Sequence, residues 1–480
     1  MRFTRRAGLI LGLLALAASP AARALFDPEI THTKVGEPRI AAAVDPALAR
    51  IGTPMSLAVA GARLVVGGSR GVAALDAAGK LLWLIELPPA TVRQVAADEH
   101  NVAFTSFDFG GVDRSGAMAS SLLAGELMAK PEFVNASVGL ADADGKLLWT
   151  VASVEQGKLA PPALSSKAVG VVGIKTFALY DRTSGKPLGE EPVSIFTSFF
   201  GLTDGLLAQW PSRAAVVAGD VFHVVRNNFF MRVDNQGEVL DSIKRLGMLS
   251  PLEYLPAGPV MLGGRVFFAN EPSDSNKKPQ LVAGKVGGGV DWDDRLDATV
   301  RTGMLSSTTD TPMDIAVSAS RVFVATNFSV FGYSPEGKSL WRAKNGKGGL
   351  FPSALRGARY IGNGFERKHG VPKTFTAAAF LAATDERVVV ATSYTESESE
   401  AAAAAASAAH AASAGGAAVE GSESGKPTRR RGDALTVLNA NDGSYVESLW
   451  FPEQRIYGLV LFGEQLAVAT SQGLKLLVLK

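Results

Sequence analysis

Residues that commonly do chemistry are sparse and scattered in this chain of 480 residues. There is no cysteine, which excludes a disulfide staple and a lipid-attachment thiol. The five histidines, His32, His100, His223, His369 and His410, have no spacing that places metal ligands together. No P-loop, Gly-x-Ser-x-Gly elbow or dinucleotide fingerprint is present. Gly287-Gly288-Gly289 is short and lies at an expected turn, which argues against a phosphate cradle. The acidic groups Asp142/Asp144 and Asp291/Asp293/Asp294 could in principle bind calcium or share a proton. Each falls on or beside a turn, where an Asp side chain serves the backbone instead. A site assembled from several elements around a central channel remains open.

The elements that would position such a site recur along the chain. Some seven times an apolar run, a small turn and a second apolar run are followed by Asp-x-x-Gly and a third run, often ending in Trp. Residues 62–83, ARLVVGGSRGVAALDAAGKLLW, give the clearest copy; 139–149 and 321–341 repeat it in part. Short segments rich in Val, Phe, Leu and Ala, bounded by Gly, Asp, Asn and Ser, read as strands joined by tight turns. Repetition at this period marks an array of like units. We call the four strands of a unit A to D. In the first unit A is near Met55–Ala60, B is Arg63–Gly67, C is Val72–Leu75 and D is Lys80–Leu87. The eighth unit supplies Tyr457–Phe462, Gln465–Thr470 and Leu474–Leu479, and lacks a D strand. The segment Glu37–Val44 lies ahead of the first unit without partners of its own. Pairing it into the eighth unit would close a ring and remove the open edge. The expected fold is therefore all-β: an eight-bladed β-propeller of four-stranded antiparallel blades, closed by an N-terminal strand. Seven blades is the alternative if the weak fifth unit is misread.

The recurring turn has a physical rationale. Asp or Asn at its start can bond the backbone two residues on, and Gly takes the φ > 0 position. A Trp ending strand D can stack over the neighbouring turn, its indole N–H reaching a carbonyl. The motif residues are Asp76, Gly79 and Trp83; Asp142, Gly145 and Trp149; Asp181 and Gly185; Asp234 and Gly237; Gly337 and Trp341; and Asn439 and Gly443. Trp292 has the same spacing from Gly288, whereas Gly189 and Asp241 stand at the Trp position in units three and four.

ALDAAGKLLW at 74–83 and LADADGKLLW at 140–149 resemble the pyrroloquinoline-quinone-type propeller repeat, with one residue fewer between Asp and Gly. ALYDRTSGK at 178–186 and LNANDG at 438–443 keep the full spacing. The resemblance covers nearly all of residues 37–480. One branch of that family, the quinone-dependent dehydrogenases, implies a quinone held by adjacent cysteines over a Trp floor, with calcium. This chain has no cysteine and no matching acidic cluster. The other branch, the outer-membrane assembly factor B type, implies a non-enzymatic scaffold. That type is a lipoprotein, which a chain without Cys cannot be. No cofactor is expected; quinone with calcium is the alternative.

The chain opens MRFTRRAGLILGLLALAASPAARA, with arginines first, then an apolar stretch and a small-residue site. This is the pattern of a cleaved signal, too short to span a bilayer. Residues 1–24 are expected to be removed, leaving one propeller domain over 25–480. Thr4-Arg5-Arg6 raises twin-arginine export, but Ala7 and Gly8 replace the usual bulky residue, so the general secretory route is preferred. Losing the four arginines of residues 1–24 turns the formal charge of +2 into −2. That argues against nucleic acid as a partner. The expectation is a periplasmic or secreted monomer without transmembrane segment or lipid anchor.

Insertions supply the functional lead. Residues 107–136 and 394–432 separate strands B and C of units two and seven, and Glu271–Lys278 is a smaller insertion in unit five. The B–C and D–A connections of a propeller emerge on one face, so all three decorate it. The D–A connection 344–373 adds Arg356, Arg359, Arg367, Lys368 and His369, the candidate partner-binding residues. Residues 395–432 are low-complexity, with an acidic start, an Ala run and Arg429-Arg430-Arg431, and are expected to be disordered. Long loops crowded on one face are usually functional. The reading is a non-catalytic scaffold that binds another envelope protein. The alternatives are a quinone-dependent oxidoreductase, and a polysaccharide binder using Phe199, Phe200 or Trp210.

Overall fold

Each repeat folds because two central apolar strands cannot bury both faces within one sheet and must be sandwiched between neighbouring sheets. The computed structural model describes residues 27–113, 130–155, 159–173, 176–192, 215–226, 229–244, 257–270, 280–296, 299–301, 307–309, 312–326, 329–344, 380–395 and 431–479. Within them lie eight four-stranded antiparallel blades forming a β-propeller. Blade one is Pro54–Ala60, Arg63–Gly68, Gly71–Leu75 and Leu81–Glu86. Blade two is Val92–Ala97, Asn101–Asp113, Lys130–Asp142 and Leu147–Ala152. Blades three to six run 163–192, 215–244, 257–295 and 312–344, and blade seven runs 381–452. The innermost strands touch in chain order, and that of blade eight, Ile456–Phe462, returns to blade one. No helix among the described residues is long and apolar enough to cross a membrane.

The ring closes as expected from the missing strand. Ile40–Ala42 pairs antiparallel with Gly473–Val478 and completes blade eight. The N-terminal segment does more than this. Val35–Gly36 adds a parallel fifth strand to blade seven, against Tyr445–Pro452. Glu29 bridges Lys344 at the edge of blade six, where Asp27 also pairs with Lys344 Nζ at 2.6 Å. One strap thus covers the outer edges of two blades and supplies that of a third, which leaves those edges unable to pair with other chains. A two-stranded ribbon, Thr299–Arg301 with Ser307–Thr309, follows blade five and was not foreseen.

The core lies between blades. Leu64, Val66, Ala73 and Leu75 of blade one pack on Ala467 and Leu476 of blade eight, while Val65, Val72 and Ala74 pack on Val95 and Phe104 of blade two. Strand period two thus divides each central strand between two seams. Burying each such Val, Leu or Phe contributes about 1.5–3 kcal/mol. The outermost strands face water on alternate residues, and Leu82, Leu148 and Leu240 are exposed there.

Candidate functional site

The seams between blades set the geometry of both faces. At the C–D turns, Asp76 Oδ1 accepts from Ala78 N and Lys80 N, both at 2.9 Å, and Asp142 Oδ1 accepts from Asp144 N at 3.0 Å and Lys146 N at 2.8 Å. Asp181, Asp234 and Asn439 make the equivalent bond to the backbone two residues on. Each tryptophan then crosses to the next blade. Trp83 Nε1 donates to Ala143 O at 2.8 Å, Trp149 to Arg182 O at 3.0 Å, Trp292 to Pro335 O at 3.0 Å and Trp341 to Ala440 O at 2.9 Å. Gly145, at φ 84°, lies so close beneath the Trp83 ring that a Cβ would fall 2.6 Å from it. Where Trp is missing the seam changes. Arg232 Nη1 donates to Gly287 O at 2.8 Å and to Asp241 Oδ2 at 2.9 Å, and Gln465 Nε2 donates to Ala77 O at 3.1 Å. Gly189 instead lets the backbone of blade three approach Gly237 with no ring between.

Three further acids are committed in similar ways. Asp291 accepts from Arg265 Nε at 2.6 Å, and that bond holds its carboxyl below the usual range. Asp314, buried in blade six, accepts from Phe380 N at 2.6 Å and Leu381 N at 3.0 Å. Asp433 accepts from Ile456 N at 2.8 Å. Among the described residues no group of three or more His, Cys, Asp or Glu could hold a metal ion. His32 Nδ1 lies 3.0 Å from Ser448 Oγ, His100 is on an exposed turn and His223 is buried in blade four. His369 and His410 lie outside the described residues.

A cavity of about 510 Å³ lies among the innermost strands of blades one to five and eight. Its walls are mainly Ala, Val, Leu and Pro, with Ser56 and Asp98 as polar members. Ser56 Oγ accepts from Val95 N at 3.1 Å, and Asp98 pairs with Arg182 at 2.6 Å, so both serve the fold. Among the described residues the side chains that line this cavity are mainly apolar.

The face carrying the B–C and D–A connections is built differently. In blade two the segment read as a 107–136 insertion is partly strand. Pairing runs on from Ser106↔Ser137 to Asp113↔Lys130, making a hairpin of two 13-residue strands where the other strands of that blade have six residues. Blade seven similarly extends to Thr395↔Arg431. Asp108 anchors the root of the blade-two hairpin, accepting from Thr91 N at 2.8 Å and Asn135 Nδ2 at 2.9 Å. Beside it stands Arg93, only 2 % exposed, which the sequence reading passed over. Its one signal is an arginine inside the otherwise uncharged innermost strand Val92–Ala97. The candidates Arg356, Arg359, Arg367, Lys368 and His369, with Phe199, Phe200 and Trp210, lie outside the described residues.

No family model and no curated protein sequence matches the chain. Solved structures match in fold. The computationally designed Ika8 protein shares 10% identity at a TM-score of 0.51, covering 92% of this chain and 100% of that one. The C-terminal WD40 domain of Sif2 shares 10% identity at 0.49, covering 93% and 99%. BamB from Moraxella catarrhalis shares 16% identity at 0.36, covering 62% and 76%. Blade geometry, with the likeness to Ika8, defines the class as an eight-bladed β-propeller. Fold at this distance does not carry function.

Proposed function

We propose that the protein is an exported, non-catalytic propeller that serves as a protein-interaction scaffold in the cell envelope. Its partner docks on the face from which the B–C and D–A connections emerge. The observation that carries this reading is the blade-two hairpin, whose paired strands continue past the sheet to Asp113 and Lys130. A hydrogen-bonded ribbon presents a surface already ordered, so less entropy is lost on binding than with a free loop. The leader-like residues 1–24 and the formal charge of −2 without them support export and a protein rather than a nucleic-acid partner.

The test replaces residues 109–133 with an Asn-Gly turn between Asp108 and Val134, which already pair, so that the buried Phe107 and Ala136 and the Asp108 anchor are kept. The variant should melt like the parent and lose its envelope partner in pull-down. A bound chromophore with calcium-dependent dye reduction would replace this reading with a quinone oxidoreductase. Stabilisation by sugars alone would replace it with a polysaccharide binder.

A further inference from the structure

On blade four, three ionisable side chains stand in line across the sheet. His223 lies directly opposite Arg232, and Arg232 directly opposite Asp241, so all three share the face that meets blade five. Arg232 Nη1 reaches Gly287 O of blade five from this line, at 2.8 Å. His223 is the innermost of the three and fully buried. Its ring stacks on Phe230 at 5.9 Å, and Phe230 stacks at 5.4 Å on Phe268 of blade five. Gly284 of blade five lies so close that a Cβ there would fall 2.7 Å from the Phe230 ring. Val225, Val266 and Val282 complete a small apolar core.

This packing gives an imidazolium nowhere to place its protons. A charged imidazole has two N–H donors. Both ring nitrogens of His223 are buried without a partner. Arg232 stands between His223 and Asp241 in the strand register, so the unpartnered Asp241 Oδ1 lies beyond a guanidinium. The innermost strands Ala215–Ala218 and Ala257–Leu262 carry no charge. On blade five, Arg265 and Lys285 both pair with Asp291, and Asp293 and Arg295 are exposed on the outermost strand. Burial, then Arg232, pull His223 down to about 4, with Asp241 opposing. A proton is therefore taken only when water enters the seam, which requires the two blades to part.

The seam is also the one most exposed to such an event by its place in the ring. Asp241 occupies the tryptophan position. The N-terminal strap ties blades six, seven and eight along their outer edges, and its described residues reach neither blade four nor blade five.

We propose that the seam between blades four and five is an acid-operated parting line of the ring, opened by a proton on His223 while the other seams stay closed. The open seam binds the proton first as pH falls, so opening is favoured below about pH 6.5 and levels off below about pH 4. Between pH 7 and pH 5 the opening constant should rise about twentyfold.

The absence of cysteine makes a single engineered thiol a unique reporter. Val282→Cys places one in this seam and Val72→Cys places one in the seam between blades one and two, both at fully buried positions. Labelling of the full chain by dithiodipyridine is followed at pH 7 and pH 5, each rate divided by that of the unfolded protein at the same pH. The expected result is a rise of about twentyfold for Val282→Cys and no change for Val72→Cys. Adding His223→Phe, or His223→Gln should the first fail to fold, should flatten the rise. Equal acceleration of both reporters means global loosening and overturns the proposal. Unchanged or slower labelling of Val282→Cys means that the closed seam accommodates the imidazolium, and overturns it too. A rise that persists without His223 assigns the response to another group and removes His223 as the trigger.

Discussion

The seam between blades six and seven and the seam between blades four and five do the same job with different chemistry. At the first, Trp341 is 8 % exposed, lies over Gly443 and satisfies its only donor on Ala440 O. At the second, Arg232 takes the place of the indole and brings Asp241 with it. His223 is fully buried close by, stacked on Phe230 at 5.9 Å. Both nitrogens of His223, Arg232 Nε and Asp241 Oδ1 are buried without partners among the described residues. The comparison teaches that a propeller seam needs a donor and bulk above the next turn, and that tryptophan supplies both with one polar atom. The guanidinium supplies them with a cluster of polar groups whose desolvation must be carried by the rest of the blade.

Removing the indole should have the largest effect. Trp341→Ala leaves a cavity and an orphaned carbonyl, and should lower stability by about 3–5 kcal/mol in denaturant titration. An effect near zero would mean that the seam is held by the strands alone.

The polar seam should reveal itself through pH. Burial, then Arg232, pull His223 below its ordinary value of 6.5 to about 4, with Asp241 opposing. The unfolded chain therefore takes up this proton first as pH falls. Its contribution is intact above about pH 6.5 and declines by about 1.4 kcal/mol per unit toward about pH 4. Compared with His223→Phe, the wild type should show that extra loss across the interval. Parallel pH profiles would show that His223 is not held neutral by this seam.

A smaller effect sharpens the tryptophan side. Gly145→Ala adds a Cβ 2.6 Å from the Trp83 ring at a backbone with φ 84°. Strain and displacement together should cost about 2 kcal/mol, read as a shift in the denaturation midpoint. Gly219, which also has positive φ but open space around it, isolates the backbone part and should lose less on the same change.

Much of this architecture was legible in the residues. The Asp-x-x-Gly spacing marks the C–D turns, so strand limits such as Arg63–Gly68 and Gly71–Leu75 fall within a residue of those read from the apolar runs. Ring closure was legible because the eighth unit lacked one strand and Ile40–Ala42 had no other partner. The parallel addition of Val35–Gly36 was not, since a two-residue pairing has no period to detect. The hairpin extension was hidden because Phe107-Asp108-Phe109-Gly110-Gly111 carries the Asp and Gly content of a loop, whereas cross-strand pairing continues through it with two shifts of register. Arg93 was hidden for another reason. A charge in a strand normally signals an exposed face, and only the tertiary arrangement of Gly68 and Pro88 carbonyls shows that it is buried.

The face that binds the partner can be read most directly by photo-cross-linking. A photoreactive residue is placed at Val134, 39 % exposed on the blade-two hairpin, and in a second variant at Leu147, 41 % exposed at the start of the outermost strand after the C–D turn. The scaffold account predicts one discrete protein adduct from Val134 in envelope extracts and none from Leu147. The same adduct from both positions, or from Leu147 alone, would contradict it.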